Sequence, residues 1–219
     1  MKAFFIGLLD WIYKKKCYFC RRSDESVKMC SKCYDSLEFL SYGKRFAIDG
    51  VSVYVAGVYE KNLQKLIRGL KYHNQRDLAF YQAKFMWEYW QHITDETGFE
   101  VVPVPLHKDR QSKRRYNHME LVAEEFCRLS GNILNTKLIK RVKNTRPQYK
   151  LTPAERAENL HNAFEVDKSA LPASAQTCGK ILILDDICTT GSTFAEMIKT
   201  LKEAGITDIT CFATTTPKL

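Results

Sequence analysis

The sequence predicts an α/β protein: a mostly parallel central sheet flanked by helices, preceded by a small four-cysteine zinc module of the ribbon or finger kind. Three observations carry this. Apolar runs that suit buried strands alternate with stretches of helical apolar period along most of the chain. Two Cys-x2-Cys pairs, Cys17/Cys20 and Cys30/Cys33, stand near the N-terminus with nine residues between them. The 219 residues suffice for one substantial core and a small appendage. Residues 1–40 hold the N-terminal segment and the cysteine module, Ser41-Tyr42-Gly43-Lys44 reads as a junction, and residues 45–219 form the α/β domain.

Taken in order, the run Phe4-Phe5-Ile6-Gly7-Leu8-Leu9 is broken by Asp10 and lacks a small-residue cleavage site, so it does not read as a signal peptide. With Trp11, Ile12 and Tyr13 it suits a short amphipathic helix that docks on the body or a partner; transient membrane contact is the weaker alternative. No stretch is long enough for stable membrane insertion, and a cytoplasmic location is expected. Val51, Val53 and Val55 alternate with Ser52, Tyr54 and Ala56 as in a strand. Leu63, Leu66, Ile67 and Leu70 form a helical stripe. Residues 77–92 are helical in pattern, with aromatics on more than one face, which suits a buried helix better than a dimer surface or a base-stacking platform.

Val101-Val102-Pro103-Val104-Pro105-Leu106 reads as a strand whose prolines mark its functional end. A basic loop follows, then a helix over about 117–130 stopped by Gly131. Residues 137–164 suit a mobile loop with a hairpin or short helix, and 169–177 a small-residue linker. Ile181-Leu182-Ile183-Leu184 is a buried strand, Phe194, Met197, Ile198 and Leu201 mark a helix ended by Gly205, and 206–213 supply a last strand.

Composition is that of an ordinary globular domain, 45% hydrophobic and 27% charged, which excludes a disordered or fibrous chain. The net charge of +9 favours acidic partners. It is concentrated: residues 107–150 carry twelve Lys/Arg against four Asp/Glu. That segment is either a solvated basic face or an anion-binding surface.

The paired Cys-x2-Cys spacing lets four thiolates surround one tetrahedral ion, so Cys17, Cys20, Cys30 and Cys33 are expected to hold structural Zn²⁺. Lys and Arg residues surround the module. It serves either as a folding staple, the preferred reading, or as a direct nucleic-acid contact. Cys127, Cys178 and Cys211 lack metal spacing and read as packing residues.

The richest stretch is 181–193. A buried strand leads into Asp185-Asp186, then Ile187-Cys188-Thr189-Thr190-Gly191-Ser192-Thr193, then a helix. Free N–H groups and the dipole of a helix N-terminus attract a phosphate, Gly191 permits close backbone approach, and the hydroxyls add donors. The two carboxylates repel phosphate but accept hydrogen bonds from sugar hydroxyls, as an acidic residue does in dinucleotide folds. The stretch therefore suits a ribose 5-phosphate. Cys188 reads as packing rather than redox.

This pattern resembles the phosphoribosyl diphosphate (PRPP) loop of the type I phosphoribosyltransferases. That likeness implies Asp185 and Asp186 on the ribose hydroxyls and Thr189, Thr190, Gly191, Ser192 and Thr193 around the 5-phosphate. Three further segments align in order: Val102-Pro103-Val104-Pro105-Leu106-His107-x2-Arg110; Arg114-Arg115-Tyr116-Asn117-His118; and Gln148-x2-Leu151-x4-Arg156-x2-Asn159-x4-Phe164. With the cysteine module they make nearly the whole chain similar to the competence protein F (ComF) family, which joins a four-Cys zinc module to a phosphoribosyltransferase domain and is associated with natural transformation. The second segment departs from the family's Arg-Gly-Phe-Asn-Gln, with Arg115 for the Gly and His118 for the Gln.

The resemblance implies a pyrophosphate loop of Pro105, Leu106, His107, Arg110 and Arg114, with Mg²⁺ accompanying PRPP. It also implies a lid carrying Arg146, Gln148, Arg156 and Asn159. His107, His118 and His161 lie near this site, and none is a clear general base. Two functions follow as expectations. One is a DNA-handling protein that binds PRPP and touches single-stranded DNA through Lys113, Arg114 and Arg115, in company with other DNA-uptake proteins. The other is an active Mg²⁺-dependent phosphoribosyltransferase with an unidentified acceptor.

Overall fold

The computed structural model describes residues 16–23, 25, 27–43, 45–107, 116–145, 151–171 and 179–217. Chain order runs α1 (Ser31–Tyr34), β1 (Arg45–Ile48), β2 (Val51–Val58), α2 (Lys61–Tyr72), α3 (Leu78–Gln91), β3 (Glu100–Pro103), α4 (His118–Ser130), β4 (Ile133–Leu134), β5 (Ile139–Arg141), α5 (Pro153–Leu160), β6 (Phe164–Val166), β7 (Ile181–Ile187), α6 (Ser192–Glu203) and β8 (Ile209–Thr216). Six strands form one sheet in the order β1-β2-β8-β7-β3-β4. All its pairings are parallel except β1 with β2, an edge hairpin turned at Asp49-Gly50. β5 and β6 make a separate antiparallel pair. The mixed α/β architecture with a mostly parallel sheet is thus the one the alternating pattern calls for.

Strand alternation divides the core. Leu182 and Leu184 of β7, Val101 of β3 and Phe212 of β8 face α2, α3 and α4, where they meet Leu66, Phe85, Trp90 and Phe126. Ile181 and Ile183, with Val102, Cys211 and Ala213, face Phe194, Met197 and Leu201 of α6 and the β5–α5–β6 unit. Covered on both faces, β7 has no polar side chain before Asp185. α3 is a buried helix: Phe85, Met86, Tyr89 and Trp90 are all core residues.

The cysteine segment shares the first of these cores. Cys17, Met29, Cys30, Cys33 and Leu37 belong to the cluster that holds Leu63, Leu70 and Phe85. Lys65 Nζ donates to the Phe19 carbonyl across 2.9 Å, and Gly69 leaves room for the Tyr18 ring, whose edge lies 3.2 Å from where a Cβ would stand.

Several elements differ from expectation. β1 was not foreseen: it is short and exposed except at Ile48, so it offers no period-2 apolar signal. Residues 137–164 yield both the strand and the helix, with Thr152 and Glu155 closing a capping box at the start of α5. β7 continues through Ile187, so Asp185 and Asp186 lie within the strand rather than after it. Residues 169–170 belong to a short 3₁₀ turn rather than linker. The N-terminal apolar run, Cys178, residues 172–177 of the linker, Arg110, Lys113, Arg114, Arg115, Arg146 and Gln148 lie outside the described residues.

Candidate ligand site and four-cysteine cluster

The sheet has one place where its connections diverge. The chain leaving β3 passes through α4 to β4 on one side, and the chain leaving β7 passes through α6 to β8 on the other. β3 and β7 are neighbours, and the Val104 N–H donates to the Leu184 carbonyl at 2.9 Å, carrying the pairing to the loop mouth. Such a divergence opens a crevice beyond the carboxyl ends of the two strands, where α/β proteins bind ligands. Both loops singled out in the sequence leave from this point: Pro105-Leu106-His107 after β3 and Cys188–Thr193 after β7. Pro105 is buried, while Leu106 and His107 are half-buried.

The second loop has the geometry of an anion seat. Gly191 is the N-cap of α6 at φ 75°, a left-handed conformation, and no side chain caps this helix. The left-handed conformation favours glycine here, and a Cβ would also stand 2.5 Å from Ile48 Cδ1, a side-chain end that would have to turn away. Thr189 and Thr190 are exposed, and the Thr190 and Ser192 hydroxyls lie 2.8 Å apart. Cys188 is buried, its N–H donates to the Thr215 carbonyl, and burial pushes its thiol up to about 12, which fits packing.

The lid reading gains one contact. Arg156 on α5 donates from Nη1 to Thr189 Oγ1 at 2.9 Å and from Nε to the Leu151 carbonyl at 3.1 Å. The Asn162 N–H donates to Glu196 Oε1 of α6 at 2.6 Å, so the unit rests directly on the helix that follows the loop. Asn159 is half-buried on α5, and His161 is its exposed C-cap.

The two aspartates part company. Because both lie in a strand, they point to opposite faces. Asp185 is half-buried and faces the β5–α5–β6 unit. Burial raises its carboxyl, the Asp186 charge raises it further, and Lys71 and Arg141 only partly oppose this, leaving it at about 8. Asp186 is 3% exposed and faces the helices α2 and α4. Lys71 Nζ lies 2.7 Å from its Oδ2, and His118 Nε2 meets the same oxygen. A carboxylate only accepts, so Nε2 carries the hydrogen. Burial alone would raise Asp186, but the Lys71 charge and His118 outweigh it and hold the carboxyl below its ordinary value. Of the two carboxylates expected at the sugar hydroxyls, Asp186 is held here by Lys71 and His118.

The residues around His118 explain the second sequence segment. Asn117 caps α4 by accepting from the Met119 N–H, while its Nδ2 donates to the Val104 carbonyl at 3.2 Å, tying the helix to the β3 loop. The Tyr116 hydroxyl donates to the Leu70 carbonyl at 2.5 Å, and the Arg76 guanidinium covers its ring at 4.5 Å. Lys71 was not singled out by sequence reasoning. The available signal was its place on the flank of the Leu63/Leu66/Ile67/Leu70 stripe, four residues after Ile67.

The cysteines form a second centre. The ligand atoms of Cys17, Cys20, Cys30 and Cys33 lie within 4.8 Å of one another, and Cys20 Sγ stands 3.6 Å from Cys30 Sγ. Zinc–sulfur bonds of about 2.3 Å at tetrahedral angles give edges of about 3.8 Å, so the donors fit such an ion. Burial raises the Cys17 thiol, but N–H groups of Cys20, Cys30 and Phe19 outweigh it and bring it down to about 6. Cys127 and Cys211 are free thiols that pack against the core.

No family model matches the chain. Competence protein F of Haemophilus influenzae is 27% identical over 203 residues, spanning 88% of this chain and 86% of that protein. The chain is thus similar to competence protein F over most of its length. The DNA utilization protein YhgH of Salmonella typhimurium is 29% identical over 151 residues, spanning 67% of this chain and 64% of that protein. YhgH of Escherichia coli K12 is 28% identical over the same extent. These matches bear out the family resemblance carried by the motifs. Among the described residues no helix is long and apolar enough to cross a membrane.

Proposed function

We propose that this chain binds PRPP with Mg²⁺ in the crevice beyond β3 and β7, in a type I phosphoribosyltransferase-like fold, and works in the handling of DNA taken up during natural transformation. The supporting observation is the meeting, at one divergence of the sheet, of an uncapped left-handed glycine turn, a helix N-terminus and the Arg156 side chain. A ribose 5-phosphate would take N–H and hydroxyl donors from Thr189, Thr190, Gly191, Ser192 and Thr193. Asp185 would accept from the sugar hydroxyls. Mg²⁺, when bound, would offset negative charge on the diphosphate. Pro105, Leu106 and His107, with Arg110 and Arg114, would border the diphosphate; Arg156, with Arg146, Gln148 and Asn159, would cover the ligand and exclude water.

The DNA part rests on the names of the relatives and on the basic segment that contains Lys113, Arg114 and Arg115. Single-stranded DNA bound there would be held chiefly by phosphate contacts. The four cysteines would hold Zn²⁺ as a staple that docks the N-terminal segment on α2 and α3.

The test is a calorimetric titration of the zinc-loaded protein with PRPP and Mg²⁺, with and without a short single-stranded oligonucleotide. Saturable PRPP binding lost in Asp185→Asn, and oligonucleotide binding that weakens steeply with salt, are expected. Absence of PRPP binding overturns the ligand assignment; salt-insensitive or absent DNA binding overturns the DNA assignment. Pyrophosphate release in the presence of an acceptor would instead make the chain a phosphoribosyltransferase.

A further inference from the structure

Lys71 has no place in the resemblance that points to PRPP, yet with His118 it holds Asp186 in a buried triad at the strand end that leads into the candidate loop. Its ionic character is hard to explain as stabilisation. Buried ion pairs seldom stabilise more than apolar residues of the same shape, because both charges lose their hydration. What such a triad does well is fix one arrangement. Only 17% of the Lys71 side chain and 5% of the Asp186 side chain are exposed. The helix end that carries Lys71 is pinned independently, through the Tyr116 hydroxyl on the Leu70 carbonyl. Lys71 thus comes from a rigid support on α2, His118 from the first residue of α4, and Asp186 from the strand that runs straight into the loop.

The charges also matter to an anionic ligand. A carboxylate charge beneath a phosphosugar repels it. With Lys71 against Asp186 that charge is cancelled, and Asp185, on the opposite face of β7, remains as the sugar-facing acceptor.

We infer that Lys71 is a positioning residue of the phosphosugar site: it holds Asp186 against α2, cancels its charge and so leaves Asp185 alone to recognise the sugar. This rests on the PRPP reading above. Lys71 touches no ligand in this role and acts through Asp186.

The test is PRPP affinity, measured with Mg²⁺ on folded, zinc-loaded protein, for wild type, Lys71→Met, Lys71→Arg, Asp186→Asn and the double variant Lys71→Met/Asp186→Asn. Lys71→Met should weaken binding by about tenfold or more, the scale expected when a misplaced support disturbs a site. Lys71→Arg should stay within about threefold of wild type, because the guanidinium can still pair with the carboxylate. The double variant removes the orphan charge and should bind more tightly than Lys71→Met alone, a coupling that independent sites do not show. The double variant and Lys71→Arg keep the test open even where Lys71→Met fails to fold. Wild-type affinity in Lys71→Met, failure of Lys71→Arg to rescue, or simple multiplication of the two single effects would overturn the inference while leaving the PRPP assignment intact. No PRPP binding by wild type overturns both.

Discussion

Replacing Gly191 by alanine tests whether the loop after β7 is held as the structure shows it. The residue sits at φ 75°, and the added methyl would stand 2.5 Å from Ile48 Cδ1. A left-handed conformation costs a residue with a Cβ about 1–2 kcal/mol. The contact adds less, since the Cδ1 is the free end of a side chain on the edge strand β1 and can turn away; a displaced rotamer costs about 0.5–1.5 kcal/mol. The total is about 2 kcal/mol, which for a chain of this size lowers the thermal midpoint by about 4–8 °C. Calorimetry on wild type, Gly191→Ala, Ile48→Val and the double variant separates the two contributions. Ile48→Val removes the Cδ1, so the double variant should recover the cost of the contact but not that of the backbone strain. An unchanged midpoint in Gly191→Ala would refute the left-handed turn. Full recovery in the double variant would show that the backbone conformation costs nothing, and no recovery would show that Ile48 does not press on this turn.

Three further outcomes are expected. Removing the ion with a strong chelator, or making Cys30→Ser, should abolish bound zinc and also lower the stability of the α/β core, because Cys17, Cys30 and Cys33 pack with Leu63 and Phe85; zinc loss with an unchanged core midpoint would contradict the shared cluster. Arg156→Ala removes the guanidinium that meets Thr189 and would donate to a bound phosphate, a charged hydrogen bond of about 1.5–3 kcal/mol, so PRPP affinity should fall by roughly tenfold or more; equal affinity would take Arg156 out of the site. The aspartates give opposite pH signs. Asp185 is raised in the folded state, so its contribution is whole below the ordinary carboxyl value of 3.8 and is lost as pH rises through about 8. Asp186 is lowered, so its contribution is present above 3.8 and lost as pH falls below that. Denaturant unfolding across this range should show stability falling with rising pH toward 8 in wild type and a flatter profile in Asp185→Asn; the same slope in both would refute the burial of Asp185.

Much of this arrangement was legible in the chain itself. The stripes of α2 and α6 and the glycine stops at 131 and 205 are local signals that tertiary packing reinforced. The Cys-x2-Cys spacing foretold four thiols in one place. The strand boundary at Asp185 was misplaced because acidic residues are rare in strands and read as loop. In this chain they stay in β7, and that one detail sends the two carboxylates to opposite faces. Lys71 was illegible for a different reason: a lysine at a helix end ordinarily faces water, and only the fold brings it to Asp186, far away in sequence. β1 escaped notice because an exposed edge strand has no apolar rhythm to read.

The most direct measurement is a crystal structure of the protein soaked with PRPP and Mg²⁺. The 5-phosphate should lie on the backbone amides of residues 190–193, with Asp185 at the sugar hydroxyls and Asp186 still paired with Lys71. A phosphosugar bound elsewhere, or an Asp186 that has left Lys71 to face the sugar, would contradict the site described above.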